Sequence, residues 1–260
     1  MKEIVIQTDK LCKSFSSGGR QQHVLKNLDL SIYKGDFTVI MGASGSGKST
    51  LLYALSGMDK PTLGEVMYGD VKINHLGISD MAVFRRKNCG FVFQQIHLLD
   101  NMSVLDNVLA CGLLVSRDKK AVAARAKELL GEVGIMKEDW GKFPSQLSGG
   151  MQQRTAIARA LAYEPSFIMM DEPFAALDYF TREQMQKELL RVQGKQGSSI
   201  LFVTHSIDEA LLLGHRIVVI ENGLVKAQYQ VPKTAGERNL LDDWFISLKR
   251  DIINSLNITE

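Results

Sequence analysis

The chain has 260 residues, with 31 Lys and Arg against 29 Asp and Glu, so its formal net charge is +2. Apolar residues make up 45% of the chain, which excludes a disordered protein, and the near-neutral charge gives no general attraction for nucleic acid. Cys12, Cys89 and Cys111 show no CxxC spacing, so we expect buried thiols in a reducing cytosol rather than disulfides or a zinc site. The longest apolar run, 108–115, is shorter than the ~20 residues that a membrane-spanning helix needs.

The first part of the chain combines β-rich apolar runs with one glycine-rich loop. Its predicted elements are strands at Ile4–Thr8 and Leu28–Ile32 with a Gly/Ser-rich loop at 16–20 between them, a buried strand at Phe37–Met41, a helix at Lys48–Ser56 and a buried strand at Cys89–Phe93. The segment from Ser103 to about Ala162 is predicted to be rich in helix, and Ser103 with Asp106 resembles a capping box.

The later part of the chain alternates between strand and helix patterns. The predicted elements are strands at Phe167–Met170 and Ser199–Val203, helices at Thr181–Gln193 and from Ser206 with Glu209 as its capping acid, and a hairpin of Arg216–Ile220 with Leu224–Tyr229. This alternation predicts a mostly parallel sheet with helices on both faces. Apolar residues at helical spacing between Leu240 and Ile253 predict a C-terminal amphipathic helix, which docks on its own domain or makes a regulatory contact.

A glycine-rich loop between a predicted strand and a predicted helix gives the strongest signal in the chain. It fits the phosphate-loop pattern GxxxxGK[ST], in the context that this pattern requires. Its residues are Gly42, Ala43, Ser44, Gly45, Ser46, Gly47, Lys48, Ser49 and Thr50. The glycines allow successive N–H groups to face one anion, and the helix adds the positive end of its dipole. We therefore expect Lys48 to contact the β- and γ-phosphates of a nucleotide and Ser49 to offer its hydroxyl to Mg²⁺.

Two further motifs bear on the same chemistry. Asp171 and Glu172 follow a hydrophobic strand, which places them at the sheet edge where open α/β sheets bind ligands. We expect Asp171 to hold Mg²⁺ and Glu172 to orient or deprotonate the attacking water. The segment 147–154, Leu-Ser-Gly-Gly-Met-Gln-Gln-Arg, predicts the start of a helix. The N-terminus of that helix can bind an anion, although the segment carries no lysine. Such a site is useful if it caps the γ-phosphate of a nucleotide bound to a second copy.

Together these motifs resemble those of the ATP-binding-cassette (ABC) ATPases, over nearly the whole chain to about position 230. They follow the family order GASGSGKST, glutamine loop, LSGG, MMDEP, ALD and histidine. The resemblance implies that Gln94 senses Mg²⁺ and faces the membrane partner, that Asp178 communicates across a dimer and that His205 lies beside the γ-phosphate. Phe15 is the best match for the aromatic that stacks on adenine, with a place in the core as its alternative. Met151 replaces the usual glutamine after LSGG, which leaves its own role open.

The resemblance implies an α/β fold, that of a P-loop NTPase. It has a mostly parallel core sheet, an N-terminal antiparallel β subdomain and a helical subdomain. The expected domain bounds are residues 1–232 for the ATPase domain, with the helical subdomain at about 95–162 inside it. The C-terminal helix extension is expected at 233–260.

The resemblance also implies cofactors and partners. These are ATP with Mg²⁺, and a head-to-tail homodimer or paired cassette with two ATP molecules at its interface. Each ATP would touch Lys48 and Ser49 of one copy and Ser148, Gly149 and Gly150 of the other. The catalytic residues would be Glu172, His205, Gln94 and Lys48. The other partner would be an integral-membrane subunit, met at the cytoplasmic face of the membrane, with no contact to nucleic acid or to the transported substrate.

Alternatives to a transport ATPase fit less well. A cassette of the DNA-repair type would need a long coiled coil before the signature, yet only about fifty residues separate Gln94 from Ser148. A translation cassette would come in two copies, and a nucleotide kinase would leave LSGG unexplained. Among transporters, the segment 84–100 resembles lipoprotein-release, macrolide and bacitracin-type exporters, whereas 171–220 resembles nitrate, sulfonate and taurine-type importers. The region after the glutamine loop touches the membrane partner in this family, so we favour the exporter-like class over the importer.

Overall fold

The structure is a computed structural model that describes residues 2–17, 19–175, 177–232 and 238–256. The chain divides into two compact units. Unit 1 comprises Met1–Met81 and Ser199–Glu260, and unit 2 comprises Ala82–Ser198. Gly18 of the predicted Gly/Ser-rich loop, Ala176 of the ALD motif and residues 233–237 and 257–260 of the expected C-terminal extension lie outside the described residues. The expected domain bounds remain predictions.

Strands and helices alternate through most of the chain. The strands are β1 Ile4–Ser17, β2 Arg20–Leu28, β3 Ser31–Tyr33, β4 Phe37–Met41, β5 Leu63–Tyr68, β6 Val71–Lys72, β7 Cys89–Val92, β8 Phe167–Asp171, β9 Ser199–Val203, β10 Arg216–Glu221 and β11 Leu224–Gln230. The helices are α1 Lys48–Leu55, α2 Ile78–Asn88, α3 Val104–Leu113, α4 Lys119–Glu132, α5 Gly149–Leu161, α6 Tyr179–Gln196, α7 Ile207–Leu213 and α8 Asp243–Ser255.

A parallel core in unit 1 is formed around β4. This strand pairs in parallel with β10 on one side and with β9 on the other, and β11 adds an antiparallel edge next to β10. Every residue of β4 and of β9 is buried, as expected for parallel strands whose two faces are both covered. The predicted bounds of both strands and the predicted hairpin of β10 and β11 are confirmed. The loop that follows β4 therefore begins at the carboxyl end of a central strand.

An antiparallel sheet in unit 1 has the order β2-β1-β5-β6, with β3 also paired to β1. The predicted N-terminal antiparallel β subdomain is thus present, but two strand predictions are wrong. β1 runs to Ser17 instead of ending at Thr8, and Leu28–Ile32 is not one strand, because β2 ends at Leu28 and β3 begins at Ser31. Register shifts near Leu11 and Lys13 interrupt the β1–β2 pairing, so the alternation that marks a strand is lost there.

The C-terminal helix α8 packs on α7 within unit 1. It buries Phe245, Leu248 and Ile252, and Lys249 forms an ion pair with Asp208 of α7 at 2.6 Å. This confirms the expectation that the helix docks on its own domain. The helix starts at Asp243, later than its apolar pattern predicts. Leu241 therefore lies before the helix, where it is exposed.

Unit 2 combines the parallel pair β7 and β8 with helices that pack on one another, α3 with α4 and α5. The helices predicted between Ser103 and Ala162 are present. Ser103 caps α3 by accepting the N–H of Asp106 at 3.1 Å, but the Asp106 carboxylate accepts from the Ser103 hydroxyl instead of its N–H. In the part of the chain that the structure describes, no helix is both long enough and apolar enough to traverse a bilayer.

Candidate functional site

The phosphate-loop residues connect β4 to α1 in unit 1, and glycine is required at two points. A side chain at Gly42 would place its Cβ 2.2 Å from the carbonyl oxygen of Ile220. Gly47 has φ +103° and is the residue that precedes α1, a conformation that other residues rarely adopt. The backbone can therefore turn sharply between strand and helix, as the sequence pattern predicts.

Lys48 is the first residue of α1 and is only 7% exposed. Its Nζ donates to the carbonyl oxygens of Gly42 and Ala43, both at 2.9 Å. The ammonium group is thus held against the loop itself, next to its exposed tip at 43–45. A buried cation bonded to loop carbonyls is poised to exchange these contacts for stronger ones with an anion.

The same loop is tied to the rest of unit 1 by its backbone. The N–H of Ser46 donates to the carbonyl oxygen of Ala43 at 3.2 Å, and the N–H of Gly223 donates to the carbonyl oxygen of Ser46 at 3.2 Å. Gly223 lies in the turn between β10 and β11. Ser49 and Thr50 are half-buried on the first turn of α1. These contacts fix the loop before any ligand is bound.

Two other predicted site residues lie in unit 1. Phe15, on β1, is 44% exposed, so it is available for stacking and is not a core residue. His205 follows β9 and is exposed. The turn after it is fixed by Thr204, whose hydroxyl donates to the Glu209 carboxylate at 2.5 Å and accepts the Ser206 N–H at 3.0 Å. The predicted capping box of α7 is therefore half right, because Ser206 caps the Glu209 N–H while the acid binds Thr204.

The paired carboxylates lie at the end of β8 in unit 2. Asp171 is the last residue of the strand and is 2% exposed. Glu172 follows it with φ +44° and is half-buried. This left-handed conformation is uncommon for a residue other than glycine and turns the chain sharply away from the strand. The two carboxylates therefore stand at the carboxyl edge of the strand, as predicted.

The signature segment begins α5. The hydroxyl of Ser148 accepts the N–H of Met151 at 3.3 Å, so Met151 contributes its backbone to the helix cap. Ser148 and Gly149 are exposed. A Cβ on Gly150 would lie 2.7 Å from Cγ2 of Thr181. The N-terminus of α5 therefore packs directly on the N-terminus of α6.

Asp178 caps α6 at that same point. Its carboxylate accepts the N–H of Thr181 at 3.0 Å. Hydrogen bonds from the Thr181 hydroxyl and backbone hold the pKa of the Asp178 carboxyl below its ordinary value. Both capping residues, Ser148 and Asp178, are exposed. Two helix N-termini with their positive dipole ends are thus side by side on the surface of unit 2.

The glutamine loop lies after β7, with Gln94 exposed. Two side chains that the sequence analysis did not single out hold this loop. Arg159 of α5 donates to the carbonyl oxygens of Ile96 at 3.1 Å and His97 at 2.5 Å. Burial lowers the pKa of Arg159. Asn107 of α3 is 1% exposed and bonds to the backbone of the same loop. An asparagine inside the apolar run of α3 is the sequence feature that could have indicated the role of Asn107.

Each unit thus assembles part of the predicted set. Unit 1 carries Phe15, the loop 42–50 and His205, and unit 2 carries the remaining predicted residues, which are Gln94, Ser148, Gly149, Gly150, Asp171, Glu172 and Asp178. Within the described residues, no group of three or more His, Cys, Asp or Glu side chains forms a metal site by itself. The arrangement offers phosphate binding in one unit and carboxylates with helix N-termini in the other.

The model of the family described as ABC transporter matches residues 25–175, which is more than half of the chain. The chain belongs to the ABC transporter family. This ABC protein is an ATP-binding subunit with ATPase activity coupled to transport. ATP-binding subunits of the family dimerise and pair with membrane components of transporters.

Named relatives agree with this assignment. The ATP-binding protein LolD of a lipoprotein-releasing system in Geobacter metallireducens is 38% identical, over 85% of this chain and 98% of its own. The ATP-binding protein TmoW of a trimethylamine N-oxide transport system in Ruegeria pomeroyi is 42% identical, over 78% of this chain and 59% of its own. A dimeric structure of the cassette MJ0796 bound to ADP and phosphate after hydrolysis has a TM-score of 0.82 and 36% identity, over 88% of this chain and all of its own. The predicted P-loop NTPase fold is confirmed by this likeness.

Proposed function

We propose that this ABC protein hydrolyses ATP between two copies arranged head to tail and thereby drives a membrane subunit of an exporter-like transporter. The observation that carries the proposal is the phosphate loop, where Lys48 is buried against the loop carbonyls at the carboxyl end of a central strand. The likeness of the chain to a dimeric cassette bound to ADP and phosphate supports the same reaction.

The proposed roles follow the chemistry of each side chain. The loop 42–50 binds the phosphates, with Lys48 as a point charge on the β- and γ-phosphates, and Phe15 stacks on adenine. Glu172 orients or deprotonates the attacking water, and His205 contacts the γ-phosphate. Ser148, Gly149 and Gly150 meet the γ-phosphate of the nucleotide held by the other copy, and Asp178 communicates across the dimer. Their place at exposed helix N-termini supports an anion as their ligand.

Mg²⁺ is the metal that we propose for the reaction. The residues proposed to hold it are Ser49, Gln94 and Asp171, which offer a hydroxyl, an amide carbonyl and a carboxylate. Such oxygen ligands suit Mg²⁺, which in ATPases binds one or two protein groups and completes its shell with phosphate and water. The ion would neutralise charge on the phosphates.

The phosphate-loop role is tested by Lys48→Ala. Removing the ammonium deletes the charge that stabilises the transferred phosphoryl group, so we expect kcat/KM for ATP to fall by at least about 10²-fold. Steady-state phosphate release measures this. Lys26→Met, at an exposed site on β2, is the control that loses a positive charge elsewhere and keeps wild-type turnover. Retained turnover in Lys48→Ala rejects the phosphate-loop role.

The membrane partner decides the transport class. Likeness to LolD over nearly all of that protein's length supports an exporter of the lipoprotein-release kind. Likeness to TmoW supports the second candidate, an ATPase subunit of an importer. Co-purification from membranes distinguishes them. A partner with four spanning helices and a large outer domain supports the first class, and one with five or six spans plus a solute-binding protein supports the second. We place the subunit at the inner face of the cell membrane in either case.

A further inference from the structure

Lys13 is a nearly buried cation beside an exposed aromatic ring. Its side chain is 11% exposed, and its Nζ lies over the ring of Phe15, 4.9 Å from the ring centroid. A cation at this distance is attracted by the negative face of an aromatic ring. One face of Phe15 is therefore covered by charge, while the side chain as a whole remains 44% exposed.

Two acceptors hold the Lys13 ammonium in this position. It forms an ion pair with the carboxylate of Asp59 and donates to the carbonyl oxygen of Lys60 at 2.8 Å. These contacts supply the hydrogen bonds that a buried ammonium needs. A lysine fixed at both the carboxylate and the carbonyl loses the rotational freedom that an exposed lysine keeps.

The acceptors are themselves anchored to the helix that follows the phosphate loop. The N–H groups of Met58 and Asp59 donate to the carbonyl oxygen of Tyr53 in α1, at 3.0 and 3.1 Å. Farther along, Thr62 donates its N–H to the carbonyl oxygen of Cys12 at 2.9 Å, and its hydroxyl accepts the N–H of Ser14 at 2.9 Å. The segment 58–62 therefore joins the end of α1 to the part of β1 that carries Phe15.

We propose that Lys13, held by Asp59, is a positioning residue that fixes the Phe15 ring for the adenine base of ATP. This inference rests on the proposed role of Phe15 in nucleotide binding. The cation restrains the ring on one face and leaves the opposite face for the base. Because α1 begins at Lys48, the path through Asp59 and Lys13 sets the ring at a defined distance from the phosphate loop. The entropic cost of ordering the Phe15 side chain when the nucleotide binds is therefore smaller.

The test is Lys13→Met, which keeps the length of the side chain and removes its charge. We expect KM for ATP to rise about threefold to tenfold, the range of a cation–π contact, while kcat stays within about twofold. Asp59→Asn, which weakens the hold on Lys13, should change KM in the same direction. Lys13→Arg restores a cation over the ring and should return KM close to the wild-type value.

Lys26→Met is the matched control, because it removes one positive charge from an exposed site on the neighbouring strand β2. An unchanged KM in Lys13→Met overturns the inference. A fall in kcat or in thermal midpoint with unchanged KM also overturns it, since that result indicates only a structural role. If Lys13→Met fails to fold, the comparison of Asp59→Asn with Lys13→Arg decides in the same way.

Phe15→Ala separates this inference from the proposed function. If it raises KM and Lys13→Met does not, the positioning role of Lys13 is wrong and the stacking role of Phe15 stands. If neither variant raises KM, both roles are wrong, although Lys48 can still bind the phosphates. A wild-type protein without ATP turnover overturns the proposed function itself.

Discussion

Gly149 and Gly150 are neighbours in the signature segment, yet their surroundings differ. A Cβ on Gly149 would meet no atom within 4 Å, whereas one on Gly150 would lie 2.7 Å from the Thr181 methyl group. Gly149 is therefore replaceable on steric grounds, and Gly150 is needed for the contact between α5 and α6. The sequence pattern Ser-Gly-Gly does not distinguish these two reasons for glycine.

We expect Gly150→Ala to lower the free energy of unfolding by about 1–3 kcal/mol, because the added methyl group overpacks the contact with Thr181. Urea unfolding measures this change. Gly149→Ala is the control, which we expect to be neutral or to stabilise the helix by up to about 1 kcal/mol. Adding Thr181→Ser to Gly150→Ala removes the clashing methyl group and should restore much of the loss. Equal stability of Gly149→Ala and Gly150→Ala would contradict the close packing of the two helix N-termini.

At the level of elements, side chains from two helices hold the backbone of the loop between β7 and α3. Asn107 accepts the N–H of Leu99 at 2.8 Å and donates to the carbonyl oxygens of Leu99, Met102 and Ser103 at 3.0 to 3.1 Å. Arg159 holds the preceding carbonyls from α5. Side chains of α3 and α5 therefore position the segment that follows Gln94.

Replacing Asn107 with Ala should cost about 2–4 kcal/mol in unfolding free energy, because it removes a buried polar side chain and takes its hydrogen bonds away from the N–H of Leu99 and the carbonyl oxygen of Met102. Asn107→Asp should cost more, since a carboxylate would face three carbonyl oxygens. Chemical denaturation compares both variants with Asn101→Ala, an exposed site in the same loop that we expect to stay within about 0.5 kcal/mol of wild type. A neutral Asn107→Ala would show that the loop is held by other contacts.

These elements also show what the sequence can predict. The strands β4 and β9 are short, fully buried runs that contain one polar residue each, Thr38 and Ser199, so their apolar, β-rich composition defines their bounds. The hairpin of β1 and β2 was missed, because its exposed residues are polar and its bulges break the alternation. The hydrogen bond from Arg159 to the carbonyl oxygen of His97 in the glutamine loop joins residues 62 positions apart. The acceptors of Arg159 are carbonyl groups that every residue has, so no sequence pattern marks them.

At the scale of the whole molecule, the proposed reaction needs residues from two copies. A single chain provides the phosphate loop with Lys48 and also the lysine-free anion site that we propose at Ser148. The family motifs predict both sites, and the local geometry of each segment follows from a buried strand and a capped helix. How two copies meet follows from surface complementarity, which periodicity and motif spacing do not encode.

Glu172→Gln tests the two-copy model. Glutamine preserves the shape of the side chain but cannot accept a proton, so hydrolysis should stop while ATP stays bound between the copies. Gel filtration with ATP and Mg²⁺ should then show a dimer, and removal of nucleotide should return the monomer. Adding Lys48→Ala to Glu172→Gln is the control. A copy that does not bind ATP presents no γ-phosphate to Ser148 of the other copy, so the double variant should remain monomeric. A Glu172→Gln protein that binds ATP and remains monomeric would remove the main support for the head-to-tail arrangement.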